Sequence, residues 1–287
     1  MVFEVDTVEL DYLTRGEVCL GARIYRPRGR GPFPAMVDGH GGAWIQGSFV
    51  NNDPINRRLA AGGVVVMAVD FTLPPAGTYP ASVADMNYAV RWLNLNAAKY
   101  DTRPKWVGLM GTSAGGHLAV LAALKPQDPR YAALPLPGGE SIDAKAFCVV
   151  TMWPVICPYT RFRENLERHA RQDQLHADRV GSGLEQMKYW VTEEAMAEGS
   201  PMLAVERGDK IELPDTLYVQ ATGDQLHPRH CMARFVAAYR ARGGKVEELL
   251  VEGEPYDLVR VKADSSEAKR AMTRMIEFVH ECKARVG

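Results

Sequence analysis

The sequence of 287 residues lacks the usual marks of several protein classes. Its five cysteines are scattered and form no C-x-x-C pair, so we expect neither a disulfide framework nor a zinc site, and a reducing compartment fits. Basic and acidic residues nearly cancel, at 34 and 35, and no run of Lys and Arg is present. We therefore expect no nucleic-acid partner and no membrane-surface partner.

Long apolar runs are also missing. No run approaches the length of a membrane span, and residues 1–13 carry acidic side chains where a secretory signal would have a basic start and an apolar core. These absences predict a cytoplasmic protein. The apolar fraction of 46% and the charged fraction of 24% are ordinary for a soluble globular enzyme, and the length is within the range of one large α/β domain.

Metal-ligand patterns are sparse as well. His169 and His176 lie seven residues apart on one face of a predicted helix, but no carboxylate-rich cluster accompanies them. We therefore predict solvated histidines at these positions and no metal site.

The pattern of apolar residues predicts the fold class. Residues 3–10 and 18–25 alternate apolar and polar side chains, as half-buried antiparallel strands do, whereas Gly63–Asp70 is a β-branched run typical of a strand buried on both faces. Strands then alternate with amphipathic helices, which implies a mostly parallel sheet covered on both sides. We predict a single α/β domain over residues 1–287.

One segment departs from this alternation. Residues 154–201 lie between two predicted strands and read as two or three charged helices. Because an insertion at the carboxyl ends of strands usually covers a site, we predict a helical lid there. Trp44 and the lid residues Tyr159 and Trp190 are candidates for an aromatic substrate pocket, although each would serve equally well as a packing residue.

The most informative stretch is KWVGLMGTSAGGHLAVLAAL, residues 105–124. A short apolar run meets Gly-Thr-Ser-Ala-Gly and then a second apolar run with helical character. This is the strand–turn–helix context in which the G-x-S-x-G pattern exposes a nucleophilic serine, here Ser113. Side chains at Gly111 or Gly115 would collide with the neighbouring strand or helix. The alternative is a glycine-rich turn with a buried serine.

A second motif makes the serine interpretation specific. HGGAW, residues 40–44, directly follows a short predicted strand. Adjacent glycines let the backbone approach a substrate closely and point amides toward it. We therefore predict that the amides of Gly41 and Gly42, with that of Ala114 after the serine, bind the oxygen that becomes negative during acyl transfer.

Together these motifs resemble a known family. HGGAW, DFTLPPAGTYPASVADMNYAVRWL, GTSAGGHLA and LPDTLYVQATGDQLHP occur in the order seen in the hormone-sensitive-lipase branch of the α/β-hydrolases. The compact lid-bearing esterases and the kynurenine-formamidase-like enzymes are most similar in size. The resemblance covers about residues 18–280 and implies a three-layer α/β-hydrolase fold. It also implies hydrolysis of carboxylic esters, without a cofactor, by a Ser–Asp–His triad. Ser113 matches the family's nucleophile and Asp224 its acid, while Gly41, Gly42 and Ala114 match its oxyanion donors.

The histidine of that triad is missing from its usual place. In the family it follows the last strand, where this chain has VEGEPYDL with Tyr256 in the corresponding position, and no histidine occurs between His230 and His280. A phenol with a pKa near 10 is already protonated at pH 7, so it cannot accept the serine proton. We assign Tyr256 to the catalytic site as a donor that orients the substrate or stabilises an oxyanion.

Four hypotheses account for the tyrosine. In the first, another histidine is the base, and His227, three residues after Asp224, is the main candidate. His230 lies one turn further on, whereas His117 and His40 are expected to be structural.

The other three hypotheses do not require another histidine as the base. The scaffold could serve elimination, cyclisation or C–C cleavage with Tyr256 as an acid. It could instead bind a small molecule without turnover, as in the gibberellin-receptor members of the family. Finally, the tyrosine could be an engineered substitution.

The sequence therefore predicts a serine hydrolase of the carboxylesterase type, acting on a small ester, amide or lactone. The alternative is a non-hydrolytic enzyme of the same fold or a non-catalytic small-molecule binder. We expect a small molecule as the partner; the oligomeric state stays open, with a homodimer under consideration.

Overall fold

The computed structural model describes residues 2–171 and 184–286, with only the backbone described at positions 168 and 169. Eight strands form one sheet. They are β1 (Val5–Arg15), β2 (Val18–Pro27), β3 (Ala35–Gly39), β4 (Val65–Val69), β5 (Val107–Thr112), β6 (Cys148–Met152), β7 (Asp215–Ala221) and β8 (Val246–Val251). Their order is β1-β2-β4-β3-β5-β6-β7-β8. The β1–β2 and β2–β4 pairs are antiparallel, and all other neighbours are parallel.

Helices in the described part of the chain connect these strands. They are α1 (Asp53–Ala61), α2 (Ala81–Leu95), α3 (Ala114–Leu124), α4 (Pro158–Ala170), α5 (Met187–Trp190), α6 (Glu193–Glu198), α7 (Pro201–Glu206), α8 (Arg229–Ala241), α9 (Leu258–Val261) and α10 (Ser266–Val286), with a 3-10 turn at Ala97–Tyr100.

Burial along the strands explains the layered arrangement. Every residue of β3, β4 and β6 is buried, as expected for parallel strands with helices on both faces. One core contains Ile55 of α1 and Met272 of α10, whereas the other contains Val83, Leu118 and Phe235 of α2, α3 and α8. The prediction of a mostly parallel sheet between two helical layers is confirmed.

Small differences from the predicted elements have local causes. The apolar pattern of residues 56–61 predicts a helix there, but α1 begins at Asp53, because proline is favoured in the first turn and the acidic Asp53 suits the amino end of a helix. The pattern of residues 145–152 predicts a strand, but β6 begins at Cys148. Residues 145–147 precede the segment that pairs with β5 and β7.

The segment between β6 and β7 contains α4, α5, α6 and α7 in its described parts, the first three of them within residues 154–201. That this helical insertion, residues 154–201, acts as a lid stays a prediction. Of the two histidines considered as metal ligands, His176 and the side chain of His169 lie outside what the structure describes.

The packing of α3 against the sheet depends on glycines, whose backbone carries no side chain. A Cβ added to Gly115 would lie 2.1 Å from the Gly39 carbonyl oxygen, and one added to Gly111 would lie 2.5 Å from the Gly115 carbonyl carbon. No side chain fits at these separations, so α3 approaches β3 and β5 only because glycine stands at these positions. The amino end of α3, with Ser113 before it, is fixed by this contact.

Gly115→Ala should therefore destabilise the fold by about 3 kcal/mol or more, because the methyl group must displace backbone atoms. Gly208→Ala is the matched control. Gly208 has φ +76° but open space within 4 Å, so alanine costs only backbone strain there, about 1–2 kcal/mol. Urea denaturation of both variants gives the comparison, and equal losses would contradict the close-contact explanation.

Candidate active site

Ser113 occupies the sharp turn between β5 and α3. Its φ of 52° and ψ of −115° lie in a region that residues with a side chain seldom adopt, at a cost of about 1–3 kcal/mol. Three backbone hydrogen bonds hold it there. The Ser113 amide donates to the Met152 carbonyl (3.0 Å), and its carbonyl accepts from the amides of His117 (3.0 Å) and Val155 (3.2 Å).

A histidine lies next to this serine, and it comes from a different loop than the family pattern predicts. His227 Nε2 is 3.3 Å from Ser113 Oγ, and His227 Nδ1 is 2.9 Å from Asp224 Oδ2. Both His227 and Asp224 are buried, with exposed fractions of 3% and 7%. Of the histidines considered from the sequence, the structure thus brings His227 to Ser113.

The turn between β7 and α8 fixes the Asp224–His227 pair. Asp224 Oδ1 accepts from the amides of Leu226 (2.9 Å) and His227 (3.1 Å), so the same carboxylate that meets the imidazole also closes the turn. Gln220 Nε2 donates to Asp224 Oδ2 (3.2 Å) and to the His227 carbonyl (2.7 Å). Burial opposes the charge, but attraction to His227 and these hydrogen bonds prevail and lower the pKa of Asp224.

Ser113 opens into a small cavity of about 110 Å³. Its walls are mostly polar, and they include Gly41, Gly42 and Tyr256, three of the residues predicted for the catalytic site. The lining residues are Gly41, Gly42, Asn51, Asn52, Thr112, Ser113, Trp153, Tyr256, Asp257 and Arg260. Ala114, the third predicted oxyanion donor, is the buried first residue of α3.

The histidine–glycine loop is held in one shape. Gly42 has φ +120°, and a Cβ there would lie 1.9 Å from the Gln46 carbonyl oxygen, so only glycine fits this turn. His40 Nδ1 donates to the Gly41 carbonyl (2.6 Å), and its ring stacks on Phe71 at 4.2 Å between centroids. Burial lowers the pKa of His40 to about 4, which keeps the ring neutral. His40 is thus a structural residue of the loop.

Asp38, Asn52, Asn56 and Thr112 form a buried polar cluster next to the histidine–glycine loop. Asn52 Nδ2 donates to both carboxyl oxygens of Asp38 (3.1 Å each), and Asn56 Nδ2 donates to Oδ2 (2.8 Å). Thr112, next to the serine, donates to Asn52 Oδ1 (3.1 Å). Burial outweighs these donors and raises the pKa of Asp38 to about 6.

A chain of hydrogen bonds links the loop to the helical insertion. Trp44 Nε1 donates to His117 Nδ1 (3.1 Å), and His117 Nε2 donates to the Gly199 carbonyl (2.8 Å). His117 is fully buried, as expected for a structural histidine. The Trp44 ring stacks on Tyr189 at 5.9 Å and meets Trp190 edge-on at 5.3 Å.

The three aromatic residues predicted for the substrate pocket are therefore placed elsewhere. Trp44 and Trp190 are core residues, 0% and 1% exposed, because each packs into the aromatic cluster under the insertion. Tyr159 lines a separate surface depression with Glu193, Glu194 and Ala197. None of the three is among the described residues that line the cavity at Ser113.

Tyr256 stands beside His227 and lines the same cavity as Ser113. Its ring centroid lies 5.5 Å from that of His227 and 6.4 Å from that of Trp153. Burial, with a smaller contribution from the Asp257 carboxylate, raises the pKa of Tyr256. The phenol is therefore protonated at neutral pH and available as a hydrogen-bond donor.

Several residues that line the cavity at Ser113 lie outside the recognised sequence motifs. Asn51 and Asn52 follow the HGGAW loop, Trp153 follows β6, and Asp257 and Arg260 lie around α9. Trp153 could have been predicted as a site residue because it directly follows a strand, and the two asparagines because they lie close to the HGGAW motif. Nothing local distinguishes Arg260 from a surface arginine.

Two further features concern metals and membranes. Within residues 2–171 and 184–286, no group of three or more His, Cys, Asp or Glu side chains could hold a metal ion. Every helix of that part of the chain is too short or too polar to cross a bilayer.

Comparison with known proteins identifies the family of the chain. A model of the alpha/beta hydrolase fold family matches residues 36–260, most of the chain. The chain belongs to this family. It is similar to Esterase LipC of Mycobacterium tuberculosis, 36% identical over 115 residues, which are 39% of this chain and 28% of that protein. Carboxylesterase NlhH of the same organism is 35% identical over 127 residues, 44% of this chain and 39% of that protein. The match thus spans well under half the length of these relatives.

Solved structures extend the likeness to nearly the whole chain. An esterase from Pyrobaculum calidifontis is 25% identical with a TM-score of 0.76, over 98% of this chain and 86% of that one. A thermophilic esterase from Thermogutta terrifontis, bound to propionate, is 23% identical with a TM-score of 0.71, over 97% and 94% of the two chains. The latter likeness concerns the fold alone. The family resemblance stated from the motifs is confirmed.

The buried His117 predicts a specific pH dependence of stability. Burial lowers the pKa of His117 from 6.5 to about 4. Between these two pH values the unfolded chain takes up a proton at this residue and the folded chain does not. The free energy of unfolding therefore falls as the pH is lowered from 6.5 toward 4. His117→Gln removes this titration and keeps a donor and an acceptor. Between pH 7 and pH 5, the free energy of unfolding of the parent should fall by about 2 kcal/mol more than that of the variant. Urea denaturation at the two pH values tests this, and parallel losses would contradict it.

Proposed function

We propose that the protein is a serine hydrolase of the carboxylesterase type, which cleaves a small ester, amide or lactone with Ser113 as the nucleophile. The proposal rests on one observation, the contact of Ser113, His227 and Asp224 in sequence. His227 Nε2 lies 3.3 Å from Ser113 Oγ, and His227 Nδ1 lies 2.9 Å from Asp224 Oδ2. The first distance is at the loose end of hydrogen bonding, as is common in unliganded sites. The names of the relatives, which are esterases and a carboxylesterase, support the same class.

In the first half of the reaction, His227 is the general base. Its Nε2 accepts the Ser113 hydroxyl proton while Oγ attacks the substrate carbonyl carbon. Asp224 holds the proton on Nδ1 and stabilises the imidazolium that forms. Collapse of the tetrahedral intermediate breaks the bond to the leaving alkoxide, which receives the proton from His227, and an acyl-Ser113 ester remains.

In the second half, water replaces the alcohol. His227 accepts a proton from the water as its oxygen attacks the acyl carbon. Collapse of the second intermediate breaks the bond between the acyl carbon and Ser113 Oγ, His227 returns the proton to Oγ, and a carboxylic acid is released. In both intermediates the carbonyl oxygen carries negative charge. The amides of Gly41, Gly42 and Ala114 are the proposed donors to it, supported by the presence of both glycines in the lining of the cavity at Ser113.

Tyr256 has a secondary role in this scheme. Its raised pKa rules it out as the base at neutral pH, but its hydroxyl can donate a hydrogen bond to the substrate in the cavity that it lines. The non-hydrolytic and binding alternatives arose because the loop after β8 lacks a histidine. With an imidazole 3.3 Å from the serine, that reason for preferring them no longer applies.

Ser113→Ala and His227→Ala should each lower kcat/KM for p-nitrophenyl acetate by roughly 10³-fold or more, and the double variant should lose little beyond either single change, because the two residues act as one unit. His230→Ala, a change at an exposed residue, serves as the matched histidine control and should keep the parent rate. Parent-like turnover by Ser113→Ala would refute the serine mechanism, and by His227→Ala the assignment of the base.

Variants of Tyr256 separate its role from that of a base. Tyr256→Phe should lower kcat/KM by about tenfold or less, the size expected for one lost hydrogen bond. Tyr256→His should bring no gain, because Ser113 already has an imidazole partner. A rise of several orders of magnitude on Tyr256→His would show that the parent site lacks its base.

A cytoplasmic location and a homodimer stay predictions. Fractionation of the native host and light scattering of the purified protein address them directly.

A further inference from the structure

Gln220 is a buried polar residue near the end of an otherwise apolar stretch of the sheet. It lies between Val219 and Ala221, one residue before the end of β7, and it is 0% exposed. Its backbone pairs with Leu250 of β8. Strand pairing therefore fixes the point from which its side chain reaches the turn that follows β7.

The side-chain amide of Gln220 joins the acid and the base of the proposed mechanism. Its Nε2 donates one hydrogen bond to Asp224 Oδ2 (3.2 Å) and one to the His227 carbonyl (2.7 Å). A primary amide nitrogen has two N–H groups, so both are used. Because the ionised carboxylate and the carbonyl can only accept, the amide has one orientation here, with Nε2 toward the turn.

Gln220 holds the carboxylate oxygen that also meets the imidazole. Asp224 Oδ2 lies 2.9 Å from His227 Nδ1, and Oδ1 accepts from the backbone amides of Leu226 (2.9 Å) and His227 (3.1 Å). Donors on both oxygens hold the carboxylate against rotation about its bond to Cβ. The orientation of the His227 ring, with Nε2 at 3.3 Å from Ser113 Oγ, depends on this carboxylate.

Stability alone gives little reason for a glutamine at this position. Among the described residues, Gln220 Oε1 is buried and has no hydrogen-bond partner. A buried acceptor without a partner lowers stability, and an apolar side chain of the same length would not have this cost. The favourable polar contacts of this side chain are the two that its nitrogen makes, and both are to residues of the proposed triad.

We propose that Gln220 is a positioning residue, which holds the carboxylate of Asp224 and the carbonyl of His227 so that the imidazole faces Ser113. The inference rests on the proposed hydrolase function and adds a fourth residue to it. Gln220 is not among the described residues that line the cavity at Ser113, so it acts through Asp224 and His227. A change at Gln220 should therefore affect proton transfer and leave substrate binding as it is.

Gln220→Met removes both donors and keeps the length of the side chain. It should lower kcat for p-nitrophenyl acetate by about tenfold to a hundredfold, as expected for a lost hydrogen bond to a charged group, with KM close to that of the parent. Gln186→Met is the matched control. Gln186 is likewise 0% exposed, and its Nε2 donates to Met196 Sδ (3.7 Å) in the helical insertion. Rates are compared per mole of folded protein, and a parent-like kcat of Gln220→Met would overturn the proposal.

Gln220→Glu makes the donor dependent on pH, and it decides the matter if Gln220→Met does not fold. A protonated carboxyl group can donate to Asp224, whereas an ionised one only accepts and repels that charge. Per mole of folded protein, the ratio of kcat/KM for this variant to that for the parent should be higher at pH 5 than at pH 8. A ratio that does not change with pH would contradict the assigned role.

The proton on His227 Nδ1 gives a readout that needs no turnover. Its hydrogen bond to Asp224 should give a proton NMR signal far downfield, assigned by its loss in His227→Ala. The signal should broaden or vanish in folded Gln220→Met and persist in Gln186→Met.

This signal separates the role of Gln220 from the hydrolase proposal. If the parent hydrolyses no ester but the signal depends on Gln220, its role in holding the pair stands and the hydrolase proposal falls. If the parent hydrolyses esters and Gln220→Met matches it in both kcat and the signal, the role of Gln220 is wrong and the hydrolase proposal stands.

Discussion

The close approach of α3 to β3 and β5 is the contact on which the rest of the site depends. With no Cβ at Gly39, Gly111 or Gly115, backbone meets backbone, and Ser113 is left in a conformation that a free chain would avoid. Hydrogen bonds from Val155 and His117 to the serine carbonyl then tie the turn to the strand beside it and to its own helix. The strain is local and small beside the burial of α3, every residue of which is inside.

Around this turn, buried polar groups give the cavity a fixed shape. Asp38, Asn52 and Thr112 join β3, the segment before α1 and β5 in one hydrogen-bonded group beneath the histidine–glycine loop. Trp44, His117 and the Gly199 carbonyl do the same between that loop, α3 and the insertion. In a low-dielectric interior, hydrogen bonds between such buried groups require particular directions. They therefore specify one arrangement of these segments, where apolar packing alone would allow several.

The sequence was sufficient for the architecture and for the sharp turn at Ser113, because a G-x-S-x-G turn and an adjacent-glycine loop require particular backbone shapes that few residues permit. It left open which histidine lies next to that serine. His227 is one of several histidines in linear order, and only the path of the turn after β7 brings its ring to Ser113. The residues that line the cavity were harder still to predict, since aromatic residues suggested a pocket by their type, whereas Trp44 and Trp190 pack in the core and polar residues line the cavity. Burial by tertiary contacts decides this, and no local pattern encodes it.

The spacing of Asp224 and His227 has a consequence for how such a scaffold can diversify. In the proposed mechanism, the acid and the imidazole lie three residues apart on one turn, so the groups that transfer the proton form a single local unit. The loop after β8 carries Tyr256, Asp257 and Arg260 to the cavity wall. Under the proposed function, the residues that transfer the proton and these cavity-lining residues belong to separate stretches of chain, so residues 252–262 could be exchanged without changing the Asp224–His227 turn.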